Sequence, residues 1–219
     1  MLSKPLAKEV EAFARDMVER NALFARARAG RLKTPQVAAY LQNLKFSFRA
    51  TMHVLELAAG QSQARGLSEL AEYYRRKRME EDGHDAWPEA DLAALRDILN
   101  EAQGSHDAPL PAMARLIEDN KQAIRQDPRS YLAHILFAEY ITVLVGPTWL
   151  ELLENRCGIS RLAMTAISNH VVLDQDHVQE GVRELDHFVA DASALAPLRH
   201  TMRQSMEHFW SFCTQVSGV

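Results

Sequence analysis

The feature that most limits how this chain can fold is a trio of polar side chains, His170, Asp174 and His177, on a segment otherwise rich in valine and leucine. At about 100° per residue, the three fall within roughly a 60° arc of one helical face. Two imidazoles and a carboxylate on one stripe are typical of a metal site, with donors suited to iron, manganese or zinc. A solvated polar face is the alternative, because acidic and amide residues flank the three. We favour ligation, which predicts a helix whose ligand stripe points into the protein.

A single carboxylate, Glu139, lies in the most apolar segment of the chain, residues 132–145. An unpaired charge on such a helix costs several kcal/mol, so the carboxylate must be paired, neutral or metal-bound. Glu139 considered alone could equally pair with an arginine or lysine, or accept hydrogen bonds from backbone amides. Beside other ligand candidates, metal binding is the interpretation that we favour.

A second ligand pair is Glu81 and His84, at the i, i+3 spacing that carboxylate-bridged di-iron helices use. The surrounding run of charges over 75–82 is more typical of a solvated helix surface. Glu80 competes with Glu81 for the inward position, because Glu80 and His84 also share a face. We favour Glu81, since two aromatic residues lie on about the same stripe. Three helices that each direct ligands inward would form a dinuclear metal site.

Composition predicts an all-α protein. The chain contains only 9 Gly and 8 Pro, and runs of β-branched residues are rare. Its 219 residues are 47% hydrophobic, which is enough for one sizeable core. Neither repeats nor linkers interrupt the pattern, so we expect one domain over residues 1–219.

The periodicity predicts seven or eight helices. Gly30 is expected to end the first, and Thr34 with Pro35 to begin the second. The stretch 104–109 is the most loop-like. The expected helices cover 4–29, 34–59, 67–87, 89–103, 111–125, 128–155, about 160–188, and 194–216. The helix that starts at about 160 is expected to break near Ser168 and then to resume to 188.

Charge and cysteine usage exclude several classes of protein. A net charge of −4 and a pI near 6.1 indicate neither a nucleic-acid partner nor binding to an anionic membrane surface. Cys157 and Cys213 lack metal-binding spacing and are expected to be reduced thiols. We find no signal peptide and no run of 18 uncharged apolar residues. We therefore expect a cytoplasmic protein, a homodimer, that acts on a small molecule.

The candidate ligands follow one another in the order Glu81-x-x-His84, Glu139 on an apolar helix, and His170-x3-Asp174-x2-His177. This pattern resembles the ligand set of the heme-oxygenase-like di-iron oxidases and oxygenases. Thiaminase II and pyrroloquinoline-quinone synthase belong to the same structural superfamily. The resemblance covers about 66–189, and the last element is its most specific part. It implies a heme-oxygenase-like bundle that binds two Fe(II) ions and uses O2 as co-substrate. It further implies that Glu139 bridges the metals, that Glu81 and His84 complete the first site, and that the later ligands hold one iron weakly without substrate.

The same resemblance implies an oxidoreductase that acts on a fatty acid, an amino acid or an amine, by C–H, C–C or N oxidation. The sequence does not select among these substrates. Arg49 and His53, on the second helix, are candidates for binding a substrate carboxylate in the pocket.

Three other interpretations remain open. A ferritin-like bundle would need another inward acid, such as Glu56, and gives His170 no required role. A metal-free enzyme similar to thiaminase II would use acids and tyrosines in a pocket. A non-enzymatic helical interaction protein would turn the proposed ligands outward.

The residues before His170 suggest an order of metal binding. Ser168 and Asn169 favour local backbone hydrogen bonds over helix continuation, so the helix is expected to begin or distort there. The support of His170, Asp174 and His177 would then be the more mobile part of the site. We expect staged assembly, with one metal or none before substrate and Fe(II) complete the pair.

Overall fold

The structure is a computed structural model that describes residues 1–99, 108–189 and 191–219. Within these ranges the chain forms nine α-helices and no β-strand, which confirms the predicted all-α class. Three short 3-10 turns, Pro128–Ser130, Arg161–Ala163 and Ala192–Ala194, precede α7, α8 and α9. The helices are α1 (Ser3–Arg20), α2 (Ala22–Arg28), α3 (Thr34–Ala64), α4 (Ser68–Glu80), α5 (Ala86–Leu99), α6 (Pro111–Gln126), α7 (Tyr131–Cys157), α8 (Thr165–Phe188) and α9 (Leu195–Ser217).

The predicted first helix is two helices, because buried Asn21 interrupts it. Asn21 has extended backbone angles, and its side-chain oxygen accepts a hydrogen bond from the Leu23 backbone N–H at 2.9 Å. Its amide nitrogen donates to the Trp210 carbonyl at 3.2 Å, which ties the break to α9. An asparagine that caps a helix in this way satisfies an otherwise unpaired N–H group. Gly30 has a φ of 63° and follows α2, as expected for the residue after a helix.

The second helix is longer than predicted. It begins at Thr34, as expected, but continues through Gly60 to Ala64 and ends before Gly66, whose φ is 74°. Gly60 does not stop the helix, because glycine in a helix interior costs only about 1 kcal/mol. The predicted end of the helix at 89–103 and most of the loop at 104–109 lie outside the described residues.

Helix α8 contradicts the predicted break at Ser168, since it runs without interruption from Thr165. The carboxylate of Asp91, on α5, accepts hydrogen bonds from the backbone N–H groups of Thr165 and Ala166 at 2.8 and 2.9 Å. It also accepts one from the Thr165 hydroxyl at 2.7 Å. Ser168 instead donates its hydroxyl to the Met164 carbonyl at 2.9 Å. A cap from a distant element therefore outweighs the local preference of Ser168.

Helix α7 lies at the centre of the core and packs against α8, α1 and α9. At Gly146 a Cβ atom would lie 2.4 Å from Cγ2 of Val171, so α7 and α8 approach closely there. The helices that bear Glu139 and His170 are therefore adjacent, as a shared site requires. The core is continuous over the described residues, while the extent of one domain over 1–219 stays a prediction.

The segment Pro128–Cys157, which contains α7, is long and apolar enough by length and composition to cross a membrane. Half of its apolar window is buried inside the fold. A core helix passes the same test, so the segment by itself carries no further conclusion.

Candidate metal centre

Three of the predicted ligands converge in the interior. Glu81, His84 and His170 each offer one donor atom, and these atoms all lie within 4.8 Å of one another. Donors bound to one ion at roughly 2.0–2.2 Å lie no more than about 4.4 Å apart. Only a small side-chain adjustment is therefore needed to bind an ion at this position.

Glu81 and His84 lie in a turn and not on a helix, which corrects the predicted placement. Helix α4 ends at Glu80, Glu81 is its C-terminal cap, and Gly83 reverses the chain with a φ of 84°. The turn keeps the i, i+3 pair together: the His84 Nδ1 donates to Glu81 Oε2 at 3.0 Å. The His84 ring stacks on Trp87, with the ring centroids 4.2 Å apart.

Glu81, and not Glu80, faces the candidate ligands. The Oε2 of Glu80 instead lies 3.3 Å from the Lys77 Nζ. Burial would raise the pKa of Glu81, but the hydrogen bond and charge of His84 hold that pKa below its usual value. Glu81 is therefore an ionised carboxylate at neutral pH, as a metal ligand must be.

His170 is buried on α8 and is oriented by its own helix. Its Nδ1 donates to the Ala166 carbonyl at 2.8 Å, because a carbonyl oxygen can only accept. In the neutral ring the Nε2 lone pair is then free, which is how metal-binding histidines are usually held. The ring stacks on Phe48 at a centroid distance of 4.8 Å and meets His84 edge-on at 5.0 Å.

The remaining predicted ligands form a second group beside the first. Glu139 and Asp174 are buried, with 7% and 3% of their surfaces exposed. The His177 Nδ1 lies 3.2 Å from Asp174 Oδ1 and 4.0 Å from Glu139 Oε1. The hydrogen bond with Asp174 raises the pKa of His177. Burial raises the pKa of Glu139 to about 7, against the opposing charge of a neighbouring lysine.

That lysine, Lys77, is the residue of this site that the sequence analysis missed. Its ammonium is 2.9 Å from Glu139 Oε1 and 3.5 Å from Glu180 Oε2, and only 2% of its side chain is exposed. Burial alone would lower the pKa of Lys77, but the Glu139 carboxylate raises it above its usual value, so Lys77 stays charged. The signal was present, because Lys77 is one helical turn before Glu81, but it lay in a run of charges interpreted as solvated surface.

The donor set fits a first-row transition metal. Carboxylate oxygens and imidazole nitrogens are the ligands of non-heme iron, manganese and zinc. Within the described residues, Glu139 Oε2 is buried without a hydrogen-bond partner, so this site has an unused acceptor. An orphaned buried oxygen is costly unless something else binds it, and a cation is the natural partner. Glu81, Glu139, His170 and Asp174 line one cavity of about 100 Å³.

A second cavity of about 140 Å³ adjoins the first. The two share five lining residues and meet along them: Thr51, His134, Ala138, Thr142 and His170. Burial lowers the pKa of His134 to about 4, which leaves this ring neutral at pH 7. The rest of the wall is largely apolar and comes from α2, α3, α6, α7, α8 and α9, including Phe24, Leu44, Phe48, Met113, Phe137, Ile141, Val145, Trp149, Ile167 and Phe209.

Arg49 and His53 do not line either cavity, which corrects the predicted substrate-binding role. Both are exposed, and the Arg49 Nε donates to Asp85 Oδ2 at 2.7 Å. The cavity face of α3 is the stripe with Thr51 and Leu55. Residues 49 and 53 are each two positions from Thr51, about 200° around the helix, so they face the opposite side.

The ferritin-like interpretation loses the acid that it requires. The Glu56 side chain is 70% exposed and lies 4.0 Å from Arg78 on the surface. The outward-facing ligands of an interaction protein are absent as well, since Glu139, His170 and Asp174 are all buried.

Comparison with known proteins was made by sequence and by structure. No family model and no curated protein matches the sequence. A domain of unknown function with a heme oxygenase-like fold from Shewanella denitrificans OS217 superposes with a TM-score of 0.84 at 16% identity, over 97% of this chain and 90% of that chain. A TenA homolog from Pseudomonas syringae pv. tomato DC3000 gives 0.74 at 14% identity, over 100% and 93%.

A CADD-like protein of unknown function from Nostoc punctiforme PCC 73102 gives a TM-score of 0.71 at 14% identity, over 99% of this chain and 97% of that chain. At such low identities a likeness over nearly the whole length shows the fold alone. It confirms the architecture that the resemblance implied. The chain therefore has the heme-oxygenase-like fold.

Proposed function

We propose that this protein is a non-heme, O2-activating oxidoreductase that binds two iron ions and oxidises a small organic substrate at a C–H, C–C or N position. The observation that carries the proposal is the convergence of Glu81, His84 and His170 beside a second group of ligand type, at the wall of an apolar cavity. The heme-oxygenase-like fold and its TenA and CADD-like neighbours are consistent with an enzyme.

The proposed ligands divide between two positions. Glu81, His84 and His170 would hold one ion, and Glu139, Asp174 and His177 would hold the other; Glu139 lines the same cavity as Glu81 and His170, which is compatible with the bridging role that the resemblance implies. Fe(II) ions bound there would supply electrons and open coordination positions for O2.

The protein's own contribution is a dry, shaped site. The apolar wall excludes water and holds the substrate by contact, while Thr51, Thr142 and neutral His134 offer a few hydrogen bonds. Among the cavity-lining residues that the structure describes, charged groups occur only at the metal-ligand end. We infer that a substrate with one polar end, a carboxylate or an amine, places that end toward the ligands and its hydrocarbon part in the cavity. An unaltered cavity of about 140 Å³ accommodates a hydrocarbon part about the size of benzene.

Metal analysis and O2 uptake test the proposal. Protein purified without oxygen and reconstituted with Fe(II) should bind iron and consume O2 in the presence of medium-length alkyl carboxylates or amines. His170→Ala should lose iron and O2 uptake, whereas the control His187→Ala, an exposed histidine on the same helix, should keep both. Retention of iron in His170→Ala, or no O2 uptake at any iron loading, would refute the proposal. Full activity in metal-free protein would favour a thiaminase-II-like enzyme.

The cytoplasmic location and the homodimer stay predictions. Fractionation of the producing cell and the molar mass in solution would test them separately from the chemistry.

A further inference from the structure

One cation is already placed among the second group of candidate ligands. Lys77 Nζ lies 2.9 Å from Glu139 Oε1, in the position of a salt bridge, and it lines the same cavity as Glu139 and Asp174. Lys77 comes from α4, and its ammonium contacts Glu139 on α7 and Glu180 on α8, so it joins three helices. A lysine this deeply buried needs carboxylate partners, and Glu139 is the nearest of them.

A bridging role for Glu139 and the salt bridge with Lys77 compete for the same oxygen. The site proposed above needs Glu139 to face a metal ion. In the structure, however, Glu139 Oε1 faces Lys77, and only Oε2 has no hydrogen-bond partner among the described residues. A divalent ion and an ammonium at neighbouring positions also repel each other.

We propose that Lys77 stands in for the second metal ion, and that a second ion binds only after the ammonium has left Glu139. The inference rests on the proposed metal-binding function and adds a residue that controls the number of metals bound. Among the described residues, no lysine forms a salt bridge with Glu81, so the first position, at Glu81, His84 and His170, can be filled without moving Lys77.

The structure provides a place for the displaced ammonium. Lys77 Nζ is already 3.3 Å from Glu80 Oε2 and 3.5 Å from Glu180 Oε2. Glu180 is itself held by Arg76, whose guanidinium donates to Glu180 Oε1 at 3.0 Å. Lys77 can therefore release Glu139 and keep two carboxylate partners, so the exchange needs a small rotation and no unpaired buried charge.

Elementary electrostatics sets the minimum effect. A unit charge about 5 Å from a divalent ion weakens its binding by more than about tenfold even at the dielectric constant of water, and by more in a buried site. Replacing Lys77 with a neutral residue should therefore tighten the second metal at least about tenfold, and the first metal, whose ligands form no salt bridge with Lys77, should change by a smaller factor.

Metal titration of four variants tests the inference. Mn(II) and Co(II), which are stable in air for the experiment, are titrated into metal-free protein by equilibrium dialysis, and bound metal is counted by elemental analysis. Lys77→Met and Lys77→Gln remove the charge, and the glutamine variant keeps a polar group in case methionine does not fold. Lys77→Arg keeps the charge, and Lys121→Met removes a half-buried lysine that is paired with Glu118 away from the site.

Wild type, Lys77→Arg and Lys121→Met should bind one metal tightly and a second at least about tenfold more weakly. Lys77→Met and Lys77→Gln should bind two metal ions, and their affinity for the second ion should be at least about tenfold higher than that of wild type. Equal second-site affinity in wild type and both neutral variants would overturn the role of Lys77 and leave a two-metal enzyme intact. If no variant bound metal at any position, the proposed function would fail as well.

Discussion

The cap that Asp91 provides for α8 is the interaction whose removal should be most informative about the site. Its buried carboxylate accepts three hydrogen bonds, two from the backbone N–H groups of Thr165 and Ala166 and one from the Thr165 hydroxyl. His170 lies one helical turn after Ala166, and its Nδ1 donates to the Ala166 carbonyl. Loosening the first turn of α8 should therefore move a proposed metal ligand.

The magnitude follows from the groups left behind. In Asp91→Ala, two N–H groups lose their acceptor in the interior, at about 1–3 kcal/mol each. Removing a buried carboxylate that has no cation partner within 1–99, 108–189 and 191–219 relieves part of this cost. We expect a net loss of about 2–4 kcal/mol in the free energy of unfolding. For a chain of this size, that corresponds to a fall of roughly 5–15 °C in Tm. Asp91→Asn keeps one acceptor oxygen and should lose about half as much.

Calorimetry and urea unfolding would measure the loss, and Mn(II) binding would report the effect on His170. Asp191→Ala is the matched control, because Asp191 accepts a hydrogen bond from the Ser193 backbone N–H at an exposed helix start. This control should change Tm far less and leave metal binding unchanged. A loss below about 1 kcal/mol for Asp91→Ala, or unchanged metal affinity despite the expected loss, would refute this account of how α8 is held.

Three further predictions concern the ligands and the cavity. Glu139→Ala should stay folded but lose the second metal, because it removes a buried carboxylate together with its bridging oxygens; circular dichroism and metal counting check this, and two bound metals in the variant would contradict it. His134, whose pKa burial lowers to about 4, must be neutral in the folded protein. Its contribution to stability is therefore fully present above the unfolded-state pKa of about 6.5, and up to about 3 kcal/mol is lost as pH falls toward 4, less where cavity water reaches the ring. His134→Gln should flatten the pH dependence of urea unfolding over that window, and an unchanged slope would count against it. Ala138→Phe, at the junction of the two cavities, should raise KM for the longer alkyl substrates while the metal content stays constant; an unchanged chain-length preference would show that the cavity does not hold substrate.

The ligand pattern could be predicted because helical spacing is a local property. His170, Asp174 and His177 share a stripe on any regular helix, and the structure turns that stripe inward. Glu139 could be predicted as a special residue, since a carboxylate on an apolar helix requires a partner. Which partner it has was not predictable. The nearest cation, Lys77, is 62 positions earlier in the chain, as their numbering shows.

The errors in the predicted helix boundaries also come from contacts between residues that are distant in the sequence. Asn21 breaks a helix because it also binds α9, and Ser168 fails to break one because Asp91 caps the turn before it. The misplacement of Arg49 and His53 was different in kind. Helical geometry already placed them on one face, but which face of α3 meets the cavity depends on the packing of other helices.

The sequence by itself determined the helical class, the apolar centre and the set of candidate ligands, because these follow from periodicity, composition and spacing along one chain segment. Only the tertiary structure decided which of those ligands converge and which are held by a lysine. That decision depends on distances between α4, α7 and α8, and on charges that compete for one buried carboxylate. Spacing along the chain fixes the direction of a side chain on its own helix, whereas its partner is fixed by packing between helices.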